Sequence, residues 1–362
     1  MTKPMIGILT WHEGTRFAEP SFFRRMIRAG KELGCVVYLF GPQDVLASQR
    51  KVRGYTFQQG TGWTRQTYRL PDVVIDRFRF SRTHRFREYV KLRKQNTFLY
   101  ANNRLANKWK VHQVLERNPI MCQWLPETRL YSQRNLRMML DKYRRVYVKP
   151  ANGTGGRGIL RIDRQGAVFR MLGRDQQRHK VSGSKRNSAA LAKWLDNWVK
   201  RDKYVIQQGL FLELIPKRAI DLRLLIQKDR QGAWSVTGCG IRVGTSNSAT
   251  SNLHGGGTAA SAQPFLEQRF GHDKTAAILQ DCNQLAYQTA LTLEQHYGQM
   301  LELGLDIGID TTGQVWLIEV NPKPGREIFR EMGDWQRYRE AIRRPLEYAL
   351  FLSGSKRIAS KA

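Results

Sequence analysis

The stretch VYVKPANGTGGRGILRID, residues 146–163, sets a lysine just ahead of a glycine-rich turn. Glycine loses more conformational freedom on folding than any other residue, so a cluster of it implies that something must approach the backbone closely. Gly153, Gly155 and Gly158 satisfy G-x-G-x-x-G, yet a dinucleotide-binding turn opens a helix, and the ILRID that follows here alternates like a strand. A Walker A loop ends in Lys followed by Ser or Thr, where this one has Arg157-Gly158. A protein-kinase glycine loop has its lysine on a later strand, with HRD and DFG motifs downstream, and neither motif is present. What remains is a β-hairpin with glycines in its turn and Lys149 closing its first strand. Amides of such a turn can cradle phosphate and the lysine can reach it as a point charge. Taken alone, the same pattern also fits an ordinary turn beside a surface lysine.

A second stretch, LDIGIDTTGQVWLIEVNPKPG at residues 305–325, narrows the choice. Glu319 and Asn321 alternate onto one face of a strand that is otherwise Val, Trp, Leu and Ile. A carboxylate there is unfavourable unless it is paired or binds a cation. If the turn closes between Asp310 and Gly313, Asp306 pairs with Leu317 and joins that face; a one-residue slip moves it to the other. Asp306, Glu319 and Asn321 then offer three oxygen donors to one site, the chemistry of Mg2+, whose remaining ligands are water and phosphate. A salt-bridged hairpin is the competing reading. Asp310 is the weaker candidate, because aspartate opening a turn has a structural role.

The rest of the chain frames these stretches. MIGILT, PSFFRRMIRAGKELG, CVVYLFG and PDVVIDRF predict strand, helix, strand and strand, a small α/β unit. LANKWKVHQVLERN predicts a helix, and Pro126 restricts Leu125 where a new unit begins. RDQQRHKVSGSKRNS reads as an exposed loop and SAALAKWLDNWVKRD as a helix. YVIQQGLFLEL, DLRLLIQKD and WSVTGCGIRVG read as strands, and KTAAILQDCNQLAYQTALTLEQHYG as a long helix. No apolar run approaches the roughly 18–20 residues of a membrane-spanning helix, and the start has no signal-peptide pattern. Cys35, Cys122, Cys239 and Cys282 lie far apart, which argues against zinc or a disulfide framework and for a reducing, cytoplasmic setting. Sixty-one Lys and Arg against thirty Asp and Glu leave +31 over 362 residues. That field concentrates polyanions. An acidic protein or polymer fits it; nucleic acid is unsupported by any motif but not excluded by the charge, and a merely solubilising surface is the third reading.

The two stretches, in this order, resemble the ATP-grasp superfamily, and within it the YheC/YheD-like proteins of spore-forming bacteria, over residues from about 95 to 350. The resemblance implies an α/β plus α+β chain: a Rossmann-like pre-ATP-grasp domain at 1–95, a connecting helix and linker at 96–125, subdomains at 126–205 and 206–352, and a basic tail at 353–362. It also implies ATP and one or two Mg2+, with Mn2+ as an alternative. Lys108 matches the first nucleotide lysine, with Asn107 in place of the usual aspartate, whereas Lys110 reads as exposed. Lys149 matches the second lysine, and Gly153, Thr154, Gly155, Gly156 and Gly158 the loop over the phosphates. Gln207 and Gln208 fall in the hinge that reads the adenine edge, Gln208 where many relatives have glutamate. Glu213 is a ribose ligand or an exposed strand residue.

Arg223 in DLRLLI and Arg242 in GIRVG match arginines facing the transferred phosphoryl group, and Asp306, Glu319 and Asn321 match the metal set. TSNLHGGG resembles a substrate loop and supplies Asn252 and His254, but Thr250 and Gly255 stand where glutamate ligases of a ribosomal protein carry arginines. The activity implied is ADP-forming carboxylate–amine ligation through an acyl phosphate. Its substrates would be a carboxylate acceptor, such as an acidic peptide or protein, and an amine donor. The alternatives are a kinase of a small alcohol and a basic, coat-associated binding protein; spore-coat association follows only if the source forms spores. The oligomeric state is unassigned.

Overall fold

The computed structural model describes residues 2–79, 84–152, 157–200, 202–245 and 257–359. Gly153, Thr154, Gly155, Gly156, Thr250, Asn252, His254 and Gly255 lie outside them.

Met5–Leu9 and Val36–Phe40 are near-continuous apolar runs, as strands buried on both faces require. Met5–Leu9 lies inside the first sheet, parallel to Val36–Phe40 on one side and to Val73–Asp76 on the other. The helix Pro20–Glu32 opens with proline where a missing amide does no harm and buries Phe22, Phe23 and Met26. The sheet continues through Lys51–Gln58, antiparallel to Val36–Phe40, and on to Gly62–Arg69. This hairpin was not expected, because charged residues interrupt its apolar positions. Past residue 95 the chain stays with this sheet, Tyr100 bridging Val74.

The second sheet is antiparallel throughout, in the order Lys180–Lys185, Val168–Arg174, Ile159–Gln165, Arg145–Pro150, Tyr204–Gln208, Thr128–Leu130. Helices Gln133–Lys142 and Ser188–Val199, N-capped by Ser132 and Asn187, cover one face. Leu136, Met139 and Leu195 pack there against Val146, Val148, Leu160 and Ile206. Two expectations change. The presumed loop at 174–188 contains the edge strand Lys180–Lys185, which is held by its main-chain ladder and lacks the alternation that a buried face imposes. The strand expected over 204–214 ends at Gln208.

The third sheet runs Thr258–Ala260, Trp234–Val243, Ile220–Lys228, Glu302–Ile309, Val315–Asn321. The helix His272–Tyr297 lays Ile278, Cys282, Leu285 and Leu293 against Leu222, Leu224, Leu303 and Leu305. The final helix, Trp335–Ala359, runs past the point where a tail was expected. Its Tyr338, Ile342 and Leu346 share one core with Phe22, Phe23 and Met26 of the first unit and with Leu225 and Phe329 of the third.

Candidate active site

A cleft of about 1070 Å³ lies between the second and third sheets, with Glu19, Pro20, Phe22 and Arg79 of the first unit on its wall. Arg145–Pro150 and Ile159–Gln165 pair antiparallel, Val148 opposite Leu160, so the glycine segment connects the two strands of a hairpin. Gly158 ends that connection at φ +66°, and a Cβ there would lie 2.6 Å from Gln176 Nε2 and 2.8 Å from the Tyr204 hydroxyl. The backbone angle and this crowding both favour glycine at position 158.

Lys149 points into the cleft, its Nζ donating to Gln207 Oε1 at 2.7 Å, while Gln207 Nε2 donates to Thr128 Oγ1 at 2.9 Å. Burial, reinforced by the neighbouring Lys108 ammonium, pulls Lys149 down to about 8 from 10.5, against the partial opposition of Glu319 and Asp306. Lys108 begins the helix Lys108–Glu116, and its Nζ lies 3.1 Å from Glu319 Oε2. Asn107 is the N-cap, its side chain accepting from Lys110 N at 3.0 Å; asparagine caps as well as the aspartate it replaces. Lys110 is exposed.

The hairpin that carries the carboxylates differs from expectation in register. Ile309 opposes Val315 and Ile307 opposes Leu317, a slip of one residue that by itself would turn Asp306 away from Glu319. A β-bulge then inserts Ile318, so Asp306 opposes Glu319 and Gly304 opposes Asn321. Ile318, Glu319 and Asn321 consequently line the cleft together with Asp306, while Leu317 stays in the core. Asn321 Nδ2 lies 3.4 Å from Asp306 Oδ2. Asp310 serves the turn: Oδ1 accepts from Thr312 N and Oγ1 and from Gln314 N, and Oδ2 accepts from Trp316 Nε1.

Asp306 anchors two arginines. Arg223 Nε and Arg242 Nη2 lie 2.7 and 3.1 Å from its Oδ1, and Arg242 is also held through Nε and Nη2 by Asp221 at 2.6 and 2.5 Å. Asp221 stands in the same DLR motif as Arg223 but was not singled out from sequence. Burial would raise the Asp306 carboxyl; the two guanidiniums outweigh it and hold it below the usual carboxylate range. Gly304 makes room for this group, since a Cβ would sit 2.6 Å from Pro324 Cβ and 3.0 Å from Arg223 Nη1.

Toward the other end, Tyr147, Ile159, Leu210, Leu212 and Ile318 give the cleft apolar walls, which no sequence motif marked. Gln208 lines the cleft but turns its Oε1 to Glu127 N at 3.2 Å. Glu213 is on the wall in a non-strand segment, bound to Arg145 Nη1 at 2.6 Å. Among the described residues no three His, Cys, Asp or Glu side chains gather as a metal cluster. The set here is two carboxylates and an amide. It fits a hard cation that draws its other ligands from phosphate and water, because the donors are all oxygen.

A glycine-turn sheet and a carboxylate-bearing sheet facing across a cleft, beside a mixed α/β sheet, define the ATP-grasp fold, which implies ATP as ligand. The D-alanine–D-alanine ligase of Coxiella burnetii superposes with a TM-score of 0.55 at 11% identity, over 99% of this chain and 96% of that one. At that identity the likeness concerns the fold alone. The chain belongs to the YheC/D like ATP-grasp family, which matches residues 97–352. It is 27% identical to the endospore coat-associated protein YheD of Bacillus subtilis, over 97% of this chain and 79% of that protein. To YheC of the same organism, also endospore coat-associated, it is 25% identical over 86% and 87%. Among the described residues no helix is long and apolar enough to cross a membrane.

Proposed function

We propose that the protein is an ATP-dependent carboxylate–amine ligase that forms an amide through an acyl phosphate and acts on an acidic peptide or polymer. The observation that carries this reading is that Lys149, Arg223 and Arg242 line one cleft with Asp306, Glu319 and Asn321, and that Lys108 reaches the same group through Glu319. A triphosphate beside a carboxylate concentrates negative charge, and preorganised cations and amides stabilise it without reorganising.

In the first step a carboxylate oxygen attacks the γ-phosphorus of ATP, and the bridging oxygen leaves with ADP. In the second an amine attacks the acyl carbon, the bond to phosphate breaks and the nitrogen loses a proton. Lys108 and Lys149 hold the triphosphate. Arg223 and Arg242, fixed by Asp306 and Asp221, face the group in transfer. A divalent cation held by Asp306, Glu319 and Asn321 would supply charge neutralisation at the phosphates. The apolar walls flank the adenine, the Gln207–Gln208 strand end meets its edge, and Glu213 reaches toward the ribose. Coat association of the two relatives supports a polypeptide acceptor.

Incubation with Mg-ATP, amines and fractionated acidic acceptors tests this, with nucleotide products and acceptor mass read together. ADP, free phosphate and an amide mass increment are expected. Lys149→Ala or Glu319→Ala should lower turnover by about 10²–10³-fold while the protein stays folded. A stable phosphorylated product would make it a kinase, and undiminished ADP formation by both variants would remove the site assignment.

A further inference from the structure

A groove of about 730 Å³ opens on the second sheet and is continuous with the cleft, since Arg161 and Leu172 line both. It lies on the face opposite the two helices. Cross-strand register puts Arg145, Asp163, Arg170 and Ser184 in one row and Tyr147, Arg161, Leu172 and Ser182 in the next. Five arginines and one aspartate line the groove. Arg145 and Arg161 are committed to Asp163 and Glu213. Arg144 and Arg170 are exposed, and neither side chain has a hydrogen-bond or ion-pair partner among the described residues. The exposed ring of Phe211 also lines the groove, beneath the Arg145 guanidinium.

The outer wall is the edge strand Lys180–Lys185, which among the described residues pairs only with Val168–Arg174. Ser182, Gly183 and Ser184 leave its backbone reachable, and Lys180 and Lys185 bracket it. Lysines on an edge normally repel strand addition. To an acidic strand the same charges are attractive, so they select rather than exclude. Edge main-chain groups suit an extended polypeptide, whose side chains alternate so that one set reaches the arginines. A polynucleotide fits less well: Asp163 and Glu213 would oppose its continuous phosphates, and Phe211 alone provides no stacking ladder.

We propose that the outer rim of this groove docks an extended acidic polypeptide as an added strand along Lys180–Lys185, with its carboxylates toward Lys180 and Arg170 on the groove face. The proposal rests on the acidic-acceptor reading above and gives that acceptor a holding site outside the reaction centre. The docked chain runs along the sheet toward the cleft, raising the local concentration of acceptor ends.

Fluorescence anisotropy of a labelled oligo-glutamate on the full chain, without nucleotide, tests it. Arg170→Glu with Lys180→Glu should weaken binding by about tenfold or more while ADP affinity is unchanged. The same variant should raise KM for the peptide in ADP formation and leave kcat alone. Methylating alternate backbone nitrogens of the peptide should also weaken binding, which a purely electrostatic contact would not show. Unchanged binding by the charge-reversed variant, indifference to backbone methylation, or tighter binding of single-stranded DNA of equal charge would each overturn the proposal. If the unaltered protein binds the peptide and the variant binds it equally, only the groove falls. If neither binds it and acidic peptides do not stimulate ADP formation, the acceptor reading falls as well.

Discussion

Lys149 is held at about 8, far below the ordinary lysine, by burial and by the Lys108 ammonium. Between pH 8 and 10.5 the unfolded chain binds more protons at this group, so its contribution makes stability rise with pH across that window. A bound triphosphate acts the other way, drawing the proton back. Nucleotide affinity should therefore fall above pH 8, by up to about tenfold per unit, with proton uptake approaching one per site. Calorimetry of ADP binding in two buffers of different ionisation enthalpy measures this; a pH-independent affinity with no proton uptake would refute it. Gly304 makes a steric prediction. Gly304→Ala should push Arg223 or Pro324 aside, lowering turnover by about a hundredfold through misplacement and stability by about 1–3 kcal/mol, read by kinetics and urea unfolding. Much at this scale was legible in the sequence, because Lys149 and Glu319 stand out against apolar strand residues. The partners that hold them were not: Gln207 reaches Lys149 from 58 residues away, and Thr128 reaches Gln207 from 79.

Among the elements, the hairpin Glu302–Ile309/Val315–Asn321 shows what pattern can and cannot specify. Alternation put Glu319 and Asn321 on one face, and the turn at Asp310 was recognisable. The turn nonetheless sets a register one residue off, and only the bulge at Ile318 restores Asp306 to the site. An inserted residue has no marker in an apolar run such as VWLIEV, because Ile318 suits a wall of the cleft as well as a core. The edge strand Lys180–Lys185 escaped for a related reason: exposed on both faces, it has no period to read. The two aspartates of the hairpin should separate cleanly in experiment. Asp310→Ala removes the acceptor for four donors and should cost about 1–3 kcal/mol in urea unfolding, with kcat nearly unchanged. Asp306→Asn should abolish turnover and also lower stability by about 3–5 kcal/mol, because the Arg223 and Arg242 guanidiniums lose the buried carboxylate between them. Equal kinetic losses in both would mean that hairpin register, not Asp306 itself, governs the site.

Across the whole molecule, the first and third units are joined by buried charge as well as by the shared core. Arg77 donates to Glu19 and to Glu302, Arg326 to Glu302 and to the Pro324 carbonyl, and Lys323 to Asp76 and the Phe78 carbonyl. Charged residues inside VVIDRF and LELGLD were the available signal, but their pairing across 225 residues was not readable. The network ties the segment Pro322–Gly325, which directly follows Asn321, to the end of the strand Val73–Asp76, so the metal-set strand and the first sheet are fixed to each other. Removing Glu302 leaves Arg326 without its carboxylate and Arg77 with Glu19 alone: Glu302→Gln would place the Arg77 and Arg326 guanidiniums together in a buried site. The expected loss is about 3–5 kcal/mol. Replacing the three charges together, by Arg77→Met, Glu302→Leu and Arg326→Met, should cost less than the single change, because the half-buried Glu19 keeps Arg79 as its partner. Urea unfolding followed by near- and far-ultraviolet circular dichroism checks both, and the loss should move one cooperative transition, since Leu346, Phe23 and Leu225 lie in one core. A single variant as stable as the unaltered chain, or two transitions that separate only the first unit from the rest, would show that the charges ornament the joint and do not hold it.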